Sequence, residues 1–370
     1  MSRMKQPAYA QSVTLTGMPM FIPGLKLSSS YWHEVVGAIV DDLLPGIPRA
    51  SARIGDGSDV LGFDTERSTD HGWGPRVIVF LDDDADLGQE RQRSLAAAVD
   101  ARLPETFCGY QTRFPARDGA PVRHQVTFTS IRDWVAAAIG FDPRGDVAGA
   151  DWLAAPSQLL RSATAGEVFE DQSGELTEAR TRLRWYPDDV WLYLLACQWR
   201  RLDQEEPFVG RTGEVGDELG SAVVAARLVR DLMRLCFLIE RQYAPYSKWL
   251  GTAFSQLQCA TALTPMFQRA LAASDWRQRE AALVPAFETM ARAFNDLGLT
   301  DALEPTVRQF YSRPFLVLGS ARFAEACMAR TPLARLGWAG GIDQFVDSVD
   351  VLSYPAVAQR LRGFVAGRDG

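Results

Sequence analysis

The chain has no apolar run approaching the roughly 18 residues of a membrane span. Arg3 and Lys5 stand near its start, but no continuous apolar segment follows them, so a secretory signal is not expected. It has only three His (His33, His71, His124), dispersed too widely for a His-rich metal cage. Its five Cys (Cys108, Cys197, Cys236, Cys259, Cys327) are odd in number and never form a CxxC pair. That pattern argues against a structural zinc site and a disulfide framework, and for reduced thiols in a cytoplasmic protein. There is no Walker A motif, no dinucleotide-binding glycine fingerprint and no GxSxG elbow. A formal charge of −7 argues against a generic nucleic-acid-coating surface while leaving room for a local basic groove.

What is present is ordinary for a folded protein: 47% apolar and 23% charged residues, with ten Trp and nineteen Phe to fill large cores. A length of 370 residues is long for one domain and natural for two. Residues 1–16 read as a mobile arm. "LSSSYWHEVVGAIVDDLLPG" places Tyr31, Val35, Ile39 and Leu43 on one stripe, which predicts a helix over about 29–44 ended by Pro45-Gly46. "RVIVFLDDD" is a buried strand closed by acids, "FCGYQTRF" and "VRHQVTFTS" are further strands, and "IRDWVAAAIGF" is a helix. After the Gly-, Pro- and Asp-rich stretch near 143–156 the pattern turns helical, with strand content close to nil until "PFLVLG". The expected fold is α+β: a mixed sheet with flanking helices over 17–148, then an all-α helical bundle over 149–370.

The densest chemistry lies in "GDGSDVLGFDTERSTDHGWGP", Gly55 to Pro75. Glycine lets a phosphate approach the backbone, and a Ser hydroxyl donates to it. Gly57-Ser58 supplies such a turn, and Ser68 and Asp70 stand at the loop's far end. Mg²⁺ needs hard oxygen ligands, commonly one or two carboxylates plus substrate phosphates. An Asp-x-Asp pair on a strand would present two acids to one face. Here the second position is Gly72.

Gly57-Ser58, eleven residues, then Asp70 resembles the signature of the DNA-polymerase-β-like nucleotidyltransferases. More specifically, "GSDVLGFDTERSTDHGWGPR", "WYPDDVWLYLLACQW", "QEEPFVGRTGEVGDELGS" and "YAPYSKWLGTAF" resemble the bacterial DUF4037 family, from about residue 20 onward. The resemblance implies a nucleotidyltransferase-like first domain, with a substrate cleft against the helical domain. It implies Mg²⁺ and an NTP as substrate, an unidentified hydroxyl acceptor, and Asp70 as catalytic and metal-binding acid. Gly57, Ser58, Ser68, Arg76, Arg234, Tyr246 and Lys248 become the candidates for nucleotide binding. Glycine at 72 replaces the second acid, and Thr127, the inward residue of "RHQVTFTS", stands where a third acid is expected. Asp82, Asp83 or Asp84 at the strand end could replace them, as could Asp64 or Glu66. Asp82 is then a metal candidate; the acid run also reads as a solvated strand end capping the next helix. Two functions stay open: Mg²⁺-dependent nucleotidyl transfer to a small molecule or protein, or a catalytically inactive protein that binds a nucleotide or a partner in an accessory role.

Other segments carry paired readings. Ser247 and Lys248 open a helix after Pro245, as an anion site or as a plain capped start. Arg227, Arg230, Arg234 and Arg241 share a helix face, as a phosphate-facing stripe or as partners of Asp217, Glu218, Asp231 or Glu240. "QEEPFVGRTGEVGDELGS", with Glu205, Glu206, Arg211 and Glu214, reads as a substrate-facing loop or an interhelical connection. The Trp191, Leu195 and Trp199 stripe reads as core, and His124 as a satisfied strand histidine.

Overall fold

The computed structural model describes residues 20–70, 72–83 and 88–366, with Asp70 by its backbone alone. The expected arm 1–16, His71 and Asp84 lie outside the described residues. The chain divides into two compact units, one formed by Met1–Gly145 with Ser162–Arg184, the other by Asp146–Arg161 with Trp185–Gly370.

In the first unit, helix α1 (Gly24–Tyr31) runs through a π-helical turn (Trp32–Val36) into α2 (Gly37–Leu43). The helix therefore starts earlier than its Ser candidates suggest: Pro23 sets the entry, and the Gly24 N–H donates to Asp64 Oδ2 at 2.7 Å. The π turn inserts one extra residue and so rotates the buried stripe. After Tyr31 the buried residues are Trp32, Val36, Val40 and Leu44, while Val35, Ile39 and Leu43 are only half-buried. Strands β1 (Arg49–Arg53) and β2 (Val77–Leu81) pair antiparallel; β2 is followed by helix α3 (Gln89–Asp100).

"FCGYQTRF" is not one strand. Cys108 and Gly109 both take positive φ, 50° and 82°, and turn β3 (Thr106–Phe107) back on β4 (Tyr110–Gln111), the backbone a two-residue hairpin requires. "VRHQVTFTS" also splits. β5 (Arg113–Pro115) pairs with β6 (Val122–His124), leaving Val122 exposed, whereas β7 (Val126–Ser130) joins the main sheet parallel to β2. Ser130 Oγ accepts the Asp133 N–H and starts α4 (Ile131–Ile139), which ends at left-handed Gly140. His124 accepts from the Val126 N–H at Nδ1 and its Nε2 meets the Ala96 carbonyl at 2.9 Å, so it is a satisfied strand histidine.

Helices α5 (Gly149–Ala154) and α6 (Ser157–Thr164) carry the chain through the second unit and back. β8 (Glu167–Asp171) then pairs with β1 and completes a mixed sheet of order β7-β2-β1-β8, followed by α7 (Glu175–Arg182). The sheet thus takes its fourth strand from the half read as wholly helical. Five short residues of polar pattern, EVFED, give a strand here because β1 offers a free edge.

The second unit is a helical assembly. Its longest elements are α8 (Asp188–Glu205), α10 (Glu218–Ile239) and α13 (Trp276–Asp296), with α9 (Phe208–Glu214), α11 (Leu250–Phe254) and α12 (Ala260–Ala272) between them. Trp191, Leu195 and Trp199 are fully buried, and Trp199 stacks on Phe323 of α14 (Ala321–Met328) at 4.7 Å. β9 (Arg308–Gln309) pairs antiparallel with β10 (Leu316–Val317), and β10 falls inside the expected "PFLVLG" strand. The polar segment read as a substrate-facing loop is α9 with its flanking turns. Glycine is needed there for packing, because a Cβ on Gly213 would lie 2.2 Å from the Trp276 ring and one on Gly210 2.5 Å from Phe315. Glu206 is buried, and its carboxylate accepts the N–H groups of Leu318, Gly319 and Ser320 ahead of α14. Among the described residues no helix is long and apolar enough to cross a membrane.

Candidate functional site

The loop from Gly55 to Pro75 is organised by a buried ion pair that no motif announced. Arg53, the last residue of β1, donates from Nε to Asp59 Oδ2 at 2.7 Å and from Nη2 to Asp59 Oδ1 at 2.8 Å. The same guanidinium reaches the carbonyls of Asp56 (2.6 Å) and Ile54 (3.2 Å). The loop folds over this fork. Gly57 has φ 142°, and a Cβ there would lie 2.3 Å from Arg53 Nη2 and 2.1 Å from Asp59 Oδ1. The glycine expected to admit a phosphate is therefore the one that admits the Arg53–Asp59 pair. Ser58 offers its carbonyl to the Phe63 N–H at 2.8 Å.

Further along, Asp64 Oδ2 accepts the Gly24 N–H and the Trp73 indole N–H at 3.2 Å, so this acid ties the loop to the start of α1. Ser68 Oγ accepts the Thr65 N–H at 3.0 Å within a turn that continues into the 3-10 helix Glu66–Asp70. The Asp70 side chain lies outside the described residues. Gly72 has φ 57°, and a Cβ there would sit 2.9 Å from the Ala116 carbonyl oxygen. Arg76 closes the loop: its Nη2 donates to the Gly72 carbonyl and, at 3.3 Å, to that of Ala116, and its plane lies over Phe114. Burial, reinforced by the Arg53 charge, pushes the Arg76 guanidinium down to about 10.

The remaining acids are distributed, not gathered. Asp82 is exposed at the end of β2. Asp83 accepts the Arg132 N–H at 3.1 Å at the start of α4 and pairs with Arg144 (2.5 Å) and Arg132 (3.3 Å). Thr127 pairs with Ile78 across β7 and β2 and is exposed, on the sheet face opposite Val126 and Phe128. Among the described residues no three His, Cys, Asp or Glu side chains converge as metal ligands.

In the second unit the structure brings two of the candidates together. Arg234 of α10 and Tyr246 both line a cavity of about 240 Å³. Its apolar wall is a ring cluster, in which Trp185, Tyr186 and Tyr243 lie 4.9–5.0 Å apart. The polar wall is built by a C-terminal segment laid on α8 and α10. Gln344 donates to Gln198 at 3.0 Å and to the Leu194 carbonyl at 2.9 Å, which fixes the neighbouring Asp343 and Asp347. Asp343 accepts the Ser157 N–H (2.8 Å) and hydroxyl (3.1 Å), and burial pushes its carboxyl up against the opposing pull of Arg234. Lys248 does not line the cavity; it is exposed and lies over the Trp249 ring.

The arginine stripe of α10 is divided among separate partners. Arg227 pairs with Glu205, Arg230 with Asp347 at 3.0 Å, and Arg234 bonds the Asp343 carbonyl, while Arg241 lies past the helix end over Trp191. Burial lowers the Arg234 guanidinium. Sequence reasoning missed Trp185, Tyr243, Asp343 and Asp347, because they gather with Arg234 only through tertiary packing, the two acids from more than a hundred positions away.

Residues 152–250 match a family model described as "Domain of unknown function (DUF4037)". The matched span holds "WYPDDVWLYLLACQW" and "QEEPFVGRTGEVGDELGS"; the Gly55–Pro75 loop lies outside it. No curated protein matches the chain.

Proposed function

We propose that this chain carries a nucleotidyltransferase-like first unit that binds a nucleotide without transferring it, and that it acts in an accessory or regulatory role. The observation that carries this reading is the state of Gly72. It offers no ligand, its φ is positive, and a Cβ there would lie 2.9 Å from the Ala116 carbonyl oxygen. Two acids that could replace it, Asp64 and Asp83, are held by Trp73 with Gly24 and by Arg132 with Arg144. Nucleotidyl transfer depends on positioned charge around the phosphates, so the loss of one metal acid removes the chemistry more completely than it removes binding. The Asp56–Ser58 backbone N–H groups and the half-buried Arg76 are what this reading leaves to meet a phosphate.

Titration calorimetry with ATP, GTP, CTP and UTP, each with and without Mg²⁺, tests this. The expected result is saturable binding of one nucleotide that persists in EDTA. Binding that requires Mg²⁺ and disappears in Asp70→Ala would favour the transferase instead, and no binding of any of the four would remove the nucleotide from the account.

A further inference from the structure

The cavity of the second unit has a chemistry of its own. Three aromatic side chains, Trp185, Tyr186 and Tyr243, pack edge to face and tilted along one wall, with Phe237 and Leu250 beside them. Such a wall favours a flat apolar body. The donor open on the polar wall is Arg234: the Trp185 indole Nε1 and the Arg230 Nε are closed off from solvent and from the cavity, and Arg230 Nε lies 3.6 Å from Asp231 Oδ1.

The charges point the same way. Asp231 is partnered by Arg201 at 3.0 Å, and Asp347 by Arg230 at 3.0 Å. Arg234 is left with the backbone carbonyl of Asp343 and with Asp347 at 4.0 Å, an oxygen that Arg230 already holds. The Asp343 carboxylate is turned to Ser157. Within hydrogen-bond distance the half-buried Arg234 therefore has a carbonyl and no carboxylate of its own.

From this we propose that the cavity is a binding site for a planar aromatic molecule of one or two rings bearing a single carboxylate-type anion. Its rings lie against Trp185, Tyr186 and Tyr243. Its anionic oxygens take the open N–H groups of Arg234. The cavity's 240 Å³ suits a ligand of this size and is small for a nucleoside triphosphate. The site stands apart from the nucleotide reading: it needs no phosphate and no metal.

The probe is 1-naphthoate, titrated by calorimetry into the full chain in EDTA, with 1-naphthamide as the uncharged isostere. Saturable one-to-one binding of naphthoate is expected, with naphthamide at least tenfold weaker. Arg234→Gln removes the guanidinium and should weaken naphthoate at least tenfold. Leu250→Trp fills a half-exposed part of the lining and should abolish binding; unchanged thermal melting of both variants shows that they fold. Absence of saturable naphthoate binding, equal affinity for the amide, or wild-type affinity in either variant overturns the assignment.

Discussion

Arg53 and Asp59 give the sharpest energetic prediction. Both side chains are 6% exposed and share two hydrogen bonds, so the pair is desolvated. Removing one member leaves a buried charge without its counterion, which costs about 3–5 kcal/mol. Asp59→Ala and Arg53→Met are therefore each expected to lose stability of that order. The double variant Arg53→Met/Asp59→Leu buries no charge. It forfeits only the bonds to the Asp56 and Ile54 carbonyls, at about 1 kcal/mol each. Its loss should fall short of the summed single losses by at least about 2 kcal/mol, a coupling in the range seen for contacting residues. Urea unfolding followed by circular dichroism, run on all four proteins, reads this directly. Single losses under about 1 kcal/mol, the level of solvent-exposed ion pairs, would refute the buried-pair account. Strict additivity would refute the coupling.

Glu206 predicts a pH dependence. Burial raises its carboxyl from 4.5 to about 7, against the opposing pull of the Ser320 and Leu318 N–H groups. A folded-state value above the unfolded one means the folded protein holds the proton more tightly. Its stabilising contribution is complete below about 4.5 and declines as pH rises to about 7, by about 3 kcal/mol at most. Glu206→Gln should flatten that part of the stability profile, and an unchanged slope between pH 4.5 and 7 would contradict it. Gly72→Asp should lower stability by about 1–3 kcal/mol, since it places a side chain at positive φ against the Ala116 carbonyl. A thermal midpoint equal to wild type would show that the loop accepts an acid freely.

Much of the fold was legible where periodicity is strong. Helix α10 and the Trp191–Trp199 stripe follow their apolar spacing, and β2 follows its β-branched run. What escaped was set by geometry that spacing does not encode. The π turn at Trp32–Val36 moved the buried stripe by one residue, and the positive φ at Cys108 folded an apparent strand into a hairpin. β8 is polar and short, and it is a strand because β1 offers an edge. The site was legible only in part. Gly57 was picked out as a turn residue, but its reason, the Arg53–Asp59 fork, depends on a buried arginine that sequence gives no cause to expect. Arg234 was singled out for phosphate, and the Trp185 and Tyr186 rings and the Asp343 and Asp347 acids around it come from segments remote in the chain.

The central claim is that the nucleotide is held and not transferred, and release of pyrophosphate tests it most directly. Wild-type protein incubated with Mg²⁺ and each of ATP, GTP, CTP and UTP, with cell extract from which large molecules have been removed as a source of hydroxyl acceptors, should release no pyrophosphate above the protein-free blank. Mg²⁺-dependent release by wild type that vanishes in Asp70→Ala would contradict the account and restore the loop as a working metal site.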